Sequence, residues 1–273
     1  MRIVSWNIAG RQEPWRRLID TGADIALLQE AGEPPREIAK QFAVDAEPWK
    51  TIGVGKTRHW RTAVVKLSDK VDVQWHKPMP LSEAEAGQLG ISRLGTIAAA
   101  TVTPPSGAPF VVISMYAMWE KTHATAGSNW IMADASVHRL ISDLSVFIGR
   151  QTKHRIIASG DLNILYGYGE EGNNYWANRY ATAFDRMAAM GLPFVGPQAP
   201  LGRQAKPWPE ELPETSQNVP TFHSNRMTPA SATRQLDFVF ASEGLADTLS
   251  VKALNEPDEW GPSDHCRVVI DFK

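Results

Sequence analysis

Short apolar runs punctuate the chain at Arg2 to Trp6, Asp24 to Leu28, Thr62 to Lys66, Val71 to Trp75, Thr96 to Val102, Phe110 to Met115, Arg155 to Ser159, Leu236 to Ala241 and Cys266 to Phe272. Many are rich in Val and Ile, whose branched side chains suit a pleated, half-buried surface, and the pattern predicts strands. Between them the apolar spacing turns helical. A short helix is predicted over Pro14 to Asp20, stopped by Gly22. The longest runs from Asn129 to Ile148, with Ile131, Ala135, Leu140, Leu144 and Ile148 near helical spacing, and a third from Tyr175 to Met190 is closed by Gly191 and Pro193. Many strands with few helices predict mixed sheets covered by helices on their outer faces, a layered α/β sandwich. No internal repeat shows by period, although two similar halves are compatible with the pattern.

Composition narrows the setting more than the activity. At 273 residues with 43% apolar content the chain can bury a sizeable core, and a single domain spanning 1–273 is expected. The net charge of -2 supplies no overall attraction to nucleic acid, so any such binding needs a local cluster of Lys and Arg. One cysteine, Cys266, excludes an intramolecular disulfide, and Met1 to Val4 enters a strand pattern directly, without a signal-peptide apolar core. A reducing, cytoplasmic location is expected. No apolar stretch reaches the roughly 20 residues that span a bilayer, so no membrane partner is expected, and a monomer is the working assumption.

Acid-bearing segments follow or precede these apolar runs: L-L-Q-E ending at Glu30, G-D-L-N from Gly160 to Asn163, and P-S-D-H from Pro262 to His265; Asn7 ends another run. Polar groups at strand ends suit a site. Cleaving a phosphate ester needs a nucleophilic water and a means of spreading negative charge at phosphorus. Mg²⁺, held by one or two carboxylates plus the substrate phosphate, supplies the second. Glu30 is the first candidate ligand, with Asn7 and Asp264 as further oxygens, and the absence of Cys and His at zinc-like spacing leaves Mg²⁺ or Mn²⁺. Asp161 is a candidate proton acceptor for the attacking water, with Asn163 holding it or binding phosphate. His265 is a candidate donor to a phosphate oxygen, oriented by Asp237.

Plainer readings compete with each of these. Glu30 alone reads as a solvated strand end, G-D-L-N as a turn, S-D-H as a turn or helix cap, and Tyr116 and Trp119 as core or rim aromatics. Asp237 stands apart: a carboxylate inside the apolar run L-D-F-V-F needs a partner to be buried.

In chain order, S-W-N at Ser5, L-L-Q-E at Leu27, the strand ending in Tyr116, G-D-L-N at Gly160, L-D-F-V-F at Leu236 and S-D-H at Ser263 resemble the endonuclease/exonuclease/phosphatase superfamily. The resemblance implies a four-layer α/β sandwich with two central mixed β-sheets and an active site at one edge. It implies Mg²⁺ or Mn²⁺ bound chiefly by Glu30, with Asn7 and Asp264 nearby. It also implies that Asp161 orients or deprotonates the water, that Asn163 binds phosphate, and that His265, supported by Asp237, contacts the scissile phosphate. Tyr116 falls where abasic-site endonucleases and related exonucleases carry a tyrosine, which favours that branch, and His123 is close by. The chain departs from the family pattern where Arg267 follows Cys266, and where Arg234 is shifted from the basic residue expected ahead of Asp237.

On substrate, two enzymatic readings remain. A nuclease, with DNA favoured over RNA, would use the cluster Lys56, Arg58, His59, Trp60 and Arg61, together with Trp119 and Arg234. A phosphoesterase for a small molecule or lipid headgroup would use a narrower pocket built by Tyr166, Tyr168 and Trp176. A binding module without chemistry is disfavoured because every polar position the reaction needs is present. The loop Leu165 to Asn174 and the segment Pro197 to Pro220, with six prolines and Trp208, fit neither strand nor helix and are candidates for function.

Overall fold

The computed structural model describes residues 1–52, 57–118, 128–149 and 153–273; Lys56, Trp119 and His123 lie outside the described residues. Two six-stranded mixed sheets stack face to face. Across the first, the strand order is Leu249–Leu254, Arg267–Phe272, Arg2–Asn7, Ile25–Ala31, Arg61–Lys66 and Ala43–Val44. The second runs Asp72–His76, Ile97–Thr103, Phe110–Tyr116, Ile156–Asp161, Asp237–Ala241 and Phe194–Gly196. In each sheet the third and fourth strands are parallel, and the other pairings described are antiparallel. Taken in these orders the sheets share one connectivity, the first being completed by strands from the end of the chain. Two similar halves are therefore present without any sequence repeat.

Alternation along the strands decides what faces where. Ile3, Ile25, Leu27, Val112, Ile157, Val239 and Ile270 fill the space between the sheets. Val4, Trp6, Ala26 and Leu28 face outward and are covered by Trp15 and Leu18 of the Glu13–Leu18 helix. The helices Asn129–Asp143 and Asn174–Ala189 cover the second sheet through Val137, Leu140, Tyr180 and Phe184, completing four layers. Burying these faces is the main stabilising contribution.

The predicted strands and helices are all present, with end shifts. The Asn129 helix stops at Asp143 and tightens into a 3₁₀ turn over Leu144–Phe147. The Leu249–Leu254 strand escaped the sequence reading, although L-S-V-K-A-L alternates as an edge strand should and every second residue is buried. No helix among the described residues is long and apolar enough to cross a membrane.

Candidate active site

The inner faces of the parallel strands change character toward their C-terminal ends. Ile3, Ile25, Val112 and Ile157 give way to Ser5, Gln29, Ser114 and Ser159, all buried, and then to Asn7, Tyr116 and Asp161. Gln29 Nε2 donates to Ser114 Oγ at 2.9 Å and to Leu27 O at 3.1 Å, and Ser114 Oγ donates to Leu28 O, so this polar layer ties the two sheets together beneath the site. Above it the strand ends meet. Asn7 Nδ2, from the first sheet, donates to Asp161 Oδ2 of the second at 3.0 Å and to Glu30 Oε1 at 3.1 Å.

Regular alternation would point Glu30 outward, because Gln29 points in. The chain solves this with a bulge between Leu28 and Ala31, where Glu30 takes φ +47°, a left-handed conformation that is uncommon outside glycine. Asn163 is likewise held at φ +53°. Its backbone N–H donates to Asp161 Oδ1 at 2.9 Å, and its Nδ2 reaches Asp161 Oδ2 at 3.3 Å and Ala117 O at 3.2 Å. Strained backbone at two polar residues of one cluster is a mark of function. Gly160, read from sequence as a turn former, sits inside the strand at φ +155°, where an added Cβ would lie 1.9 Å from Met115 O. It is there so that the parallel strands bearing Tyr116 and Asp161 can approach.

His265 completes the cluster. Its Nδ1 donates to Asp237 Oδ2 at 2.8 Å, and its Nε2 lies 3.7 Å from Asp161 Oδ2. Burial raises the Asp161 carboxyl, to about 7; His265 opposes the rise, whereas Asp237 and Glu30 add to it. Burial alone would lower His265, yet Asp237 and Asp161 outweigh it and carry the imidazole up to about 10. Burial, with Glu30 and Asp161 close by, pushes the Tyr116 hydroxyl well above the usual phenol range and keeps it a donor.

The predicted Asp161, Asn163, His265, Asp237, Tyr116, Glu30 and Asn7 thus form one cluster. Asp264 flanks it on the Pro262–His265 bend, anchored where Ser263 Oγ donates to Asn7 O at 2.7 Å. Two expectations need correction. Asn7 Oδ1 accepts from Ala9 N at 3.0 Å, so its amide nitrogen, not its oxygen, faces the carboxylates; Asn7 is a spacer between them in this arrangement. Arg61 is buried, pairs with Asp45 at 2.7 Å and stacks on Trp49 at 4.2 Å, so its guanidinium is engaged within the protein instead of reaching out toward a strand of nucleic acid. Arg58 lies over Trp60 at 5.5 Å, and Trp60 packs edge-on against Tyr116 at 5.3 Å, so these two do adjoin the site. Arg234 pairs with buried Glu170. Tyr166 packs among Phe184, Phe194 and Phe238, and Tyr168 is buried, so neither lines a narrow substrate pocket.

Sequence reasoning missed the supports. Thr221 Oγ1 accepts from the Leu236 and Asp237 N–H groups at 3.0 Å, Trp6 Nε1 donates to His265 O at 2.9 Å, and Phe222 sets its ring 4.9 Å from that of His265. Thr221 and Phe222 end a proline-rich segment with no periodicity, and only the S-W-N motif hinted at Trp6.

Three carboxylates, Asp237, Asp161 and Asp264, surround the His265 imidazolium, and Glu30 joins the cluster beside Asp161 through Asn7. That surplus of charge on hard oxygens fits a divalent cation such as Mg²⁺ or Mn²⁺, which Glu30 and Asp264 would hold. Among the described residues, no group of three or more His, Cys, Asp or Glu is arranged to hold a metal on its own. Mg²⁺ needs none, since it keeps several waters and shares the substrate phosphate.

Comparison with solved structures places this architecture. An AP endonuclease from Archaeoglobus fulgidus superposes with a TM-score of 0.63 at 16% identity, over 100% of this chain and 99% of that one. The chain has the endonuclease/exonuclease/phosphatase fold. The endonuclease domain of TRAS1, a telomere-specific non-LTR retrotransposon, gives 0.62 at 16% identity over 100% and 98%. The 3′ phosphatase NExo from Neisseria, in a variant form bound to a product DNA hairpin, gives 0.56 at 17% over 100% and 99%. No protein-family model and no curated protein sequence matches the chain.

Proposed function

We propose that this protein is a divalent-metal-dependent phosphodiesterase, a nuclease that hydrolyses nucleic-acid phosphodiester bonds, with DNA favoured. The observation that carries the reading is the setting of Asp161, whose carboxylate is held by Asn7 and Asn163 and faces His265 Nε2. A carboxyl raised toward neutrality and fixed on its oxygens is suited to accept a proton from an attacking water. His265, kept charged by Asp237, donates to a phosphate oxygen. Tyr116 and the Asn163 amide are further donors for the charge that develops at phosphorus. A bound divalent cation supplies electrophilic stabilisation of that charge and of the departing oxygen. The fold shared with DNA-acting enzymes, and the Arg58–Trp60 pair beside Tyr116, support nucleic acid as substrate.

The test is a substrate panel with Mg²⁺ or Mn²⁺ and with chelator: plasmid, linear duplex, single strand, abasic duplex, RNA and bis(p-nitrophenyl) phosphate. Hydrolysis of nucleic acid should vanish in chelator and in the Glu30→Gln and Asp161→Asn variants. Full activity of Glu30→Gln would reject the metal assignment, and turnover confined to the small diester would move the enzyme to the small-molecule class.

A further inference from the structure

Beyond the catalytic cluster, the rings of Trp130, Trp176 and Tyr175 form a run that only Trp176 anchors to the core, with Trp130 and Tyr175 extending away from it. Trp130 and Trp176 meet at 5.8 Å and 72°, and Tyr175 meets Trp176 at 5.2 Å and 83°. Tyr175 is 63% exposed, and Trp130 and Trp176 are only half-buried. Leaving large rings in water at the start of two helices forgoes the burial that would otherwise recommend them.

Topology puts these rings on the rim of the candidate site. The Asn129–Asp143 and Asn174–Ala189 helices lie side by side and run the same way, because Trp130 meets Trp176, Asp134 meets Arg179, and His138 meets Thr182 and Arg186 in step. Each helix follows a parallel strand whose C-terminal end bears a site residue, Tyr116 or Asp161, so both helices begin at that same end. A continuous path joins the two places. Phe222 touches His265 and is bridged to Arg234, and Arg234 pairs with Glu170, which opens the 3₁₀ turn that leads directly into the Asn174–Ala189 helix bearing Tyr175 and Trp176.

We propose that Trp130, Trp176 and Tyr175 form a stacking platform for unpaired bases of a strand whose backbone enters the candidate site, which gives the enzyme a preference for single-stranded or frayed substrate over paired duplex. This rests on the nuclease reading. Aromatic faces stack on any base, because every base presents a π-face. A patch of three rings is far too small for a stable protein partner, which needs roughly 800 Å² per side. The N-terminal ends of two long helices beside the rings favour a phosphate backbone.

The experiment uses the whole protein in chelator, so that nothing is cut, with fluorescein-labelled oligo(dT) followed by anisotropy and a duplex of equal length as comparison. Tyr175→Ala removes an exposed ring and leaves the fold intact, and Tyr175→Phe keeps the ring. Oligo(dT) affinity should fall about 5- to 100-fold in Tyr175→Ala and in Trp130→Ala, and recover in Tyr175→Phe. Metal-loaded turnover of bis(p-nitrophenyl) phosphate should stay within twofold, since none of these rings serves the chemistry. Wild-type protein that ignores oligo(dT), or both alanine variants binding it within twofold of wild type, would overturn the platform. Wild-type protein that cuts duplex but ignores oligo(dT) loses the platform alone. If it cleaves no nucleic acid yet binds oligo(dT) through Tyr175, the nuclease reading falls and the platform stands.

Discussion

Replacing Gly160 with alanine tests whether this glycine is a turn former or a packing necessity. The new Cβ would lie 1.9 Å from Met115 O and 2.8 Å from Met115 C, against 3.4 Å for ordinary contact, an overlap of about 1.5 Å with backbone that cannot rotate away. Met115 and Gly160 are register partners, so relief requires prising apart the strands that carry Tyr116 and Asp161. A side chain at φ +155° adds about 1–3 kcal/mol of backbone strain. Overpacking adds a further ~1–3 kcal/mol. A loss near 4 kcal/mol lowers the melting temperature by roughly 8–16 °C in a domain of this size.

Thermal unfolding of the metal-free protein, followed by circular dichroism, reads the first effect. The second is read at low temperature, where the variant stays folded: a shift of about 1 Å in Asp161 should lower turnover of a chromogenic phosphodiester by roughly 100-fold. A melting temperature within about 2 °C of wild type, with turnover within twofold, would refute the account and return Gly160 to an ordinary turn position.

Other perturbations separate chemistry from support. Asp237→Asn keeps the shape but removes the charge that faces His265 at 2.8 Å, so kcat should fall about 10²-fold or more while the fold holds; unchanged kcat would remove His265 from its role. Arg61→Ala strands Asp45 in a nearly buried position and should destabilise the protein by about 3–5 kcal/mol, whereas turnover per folded molecule stays within a few-fold. The reverse outcome, intact stability with lost substrate affinity, would make Arg61 a substrate contact after all. Asp24 is buried, which raises its carboxyl, but the Ser68 hydroxyl and Arg2 N–H together hold it below its usual value. A depressed carboxyl stabilises the fold above its unfolded value, near 3.9, and loses that contribution as pH falls through the folded value. The melting-temperature advantage of wild type over Asp24→Asn should therefore shrink between pH 6 and pH 3, and a constant gap would contradict the assignment.

Strand-by-strand alternation made the sheets legible, and the chemistry was legible because its acids interrupt or end apolar runs. Asp237 is the clearest instance: a carboxylate in L-D-F-V-F demanded a partner, and His265 is that partner. What stayed hidden were features set by backbone geometry. Nothing in L-L-Q-E says that Glu30 turns inward through a bulge, and nothing in G-D-L-N says that its glycine faces a carbonyl of the neighbouring strand instead of a solvent turn. Arg61 was misplaced for a related reason. A basic residue beside Trp60 looks like a ligand contact until its partner Asp45, 16 positions away, folds over it.

The matching connectivity of the two sheets explains why the site takes its particular form. Superposed by strand order and pairing register, Asn7 corresponds to Tyr116 and Gln29 to Asp161, with Glu30 one bulged step beyond, and the start of the strand at Arg61 corresponds to the start at Asp237. Both halves end their parallel strands in polar groups at the same edge, and the Asn7–Asp161 hydrogen bond joins them there. Their neighbours then diverge. Asp237 stays inside and holds His265, whereas Arg61 turns to Asp45 and closes the flank of its sheet. The division leaves Glu30 half-exposed on one side, able to meet a cation, and Asp161 buried on the other, able to hold a proton. The two environments come from different sheets and meet only where the halves face each other, at the Asn7–Asp161 hydrogen bond.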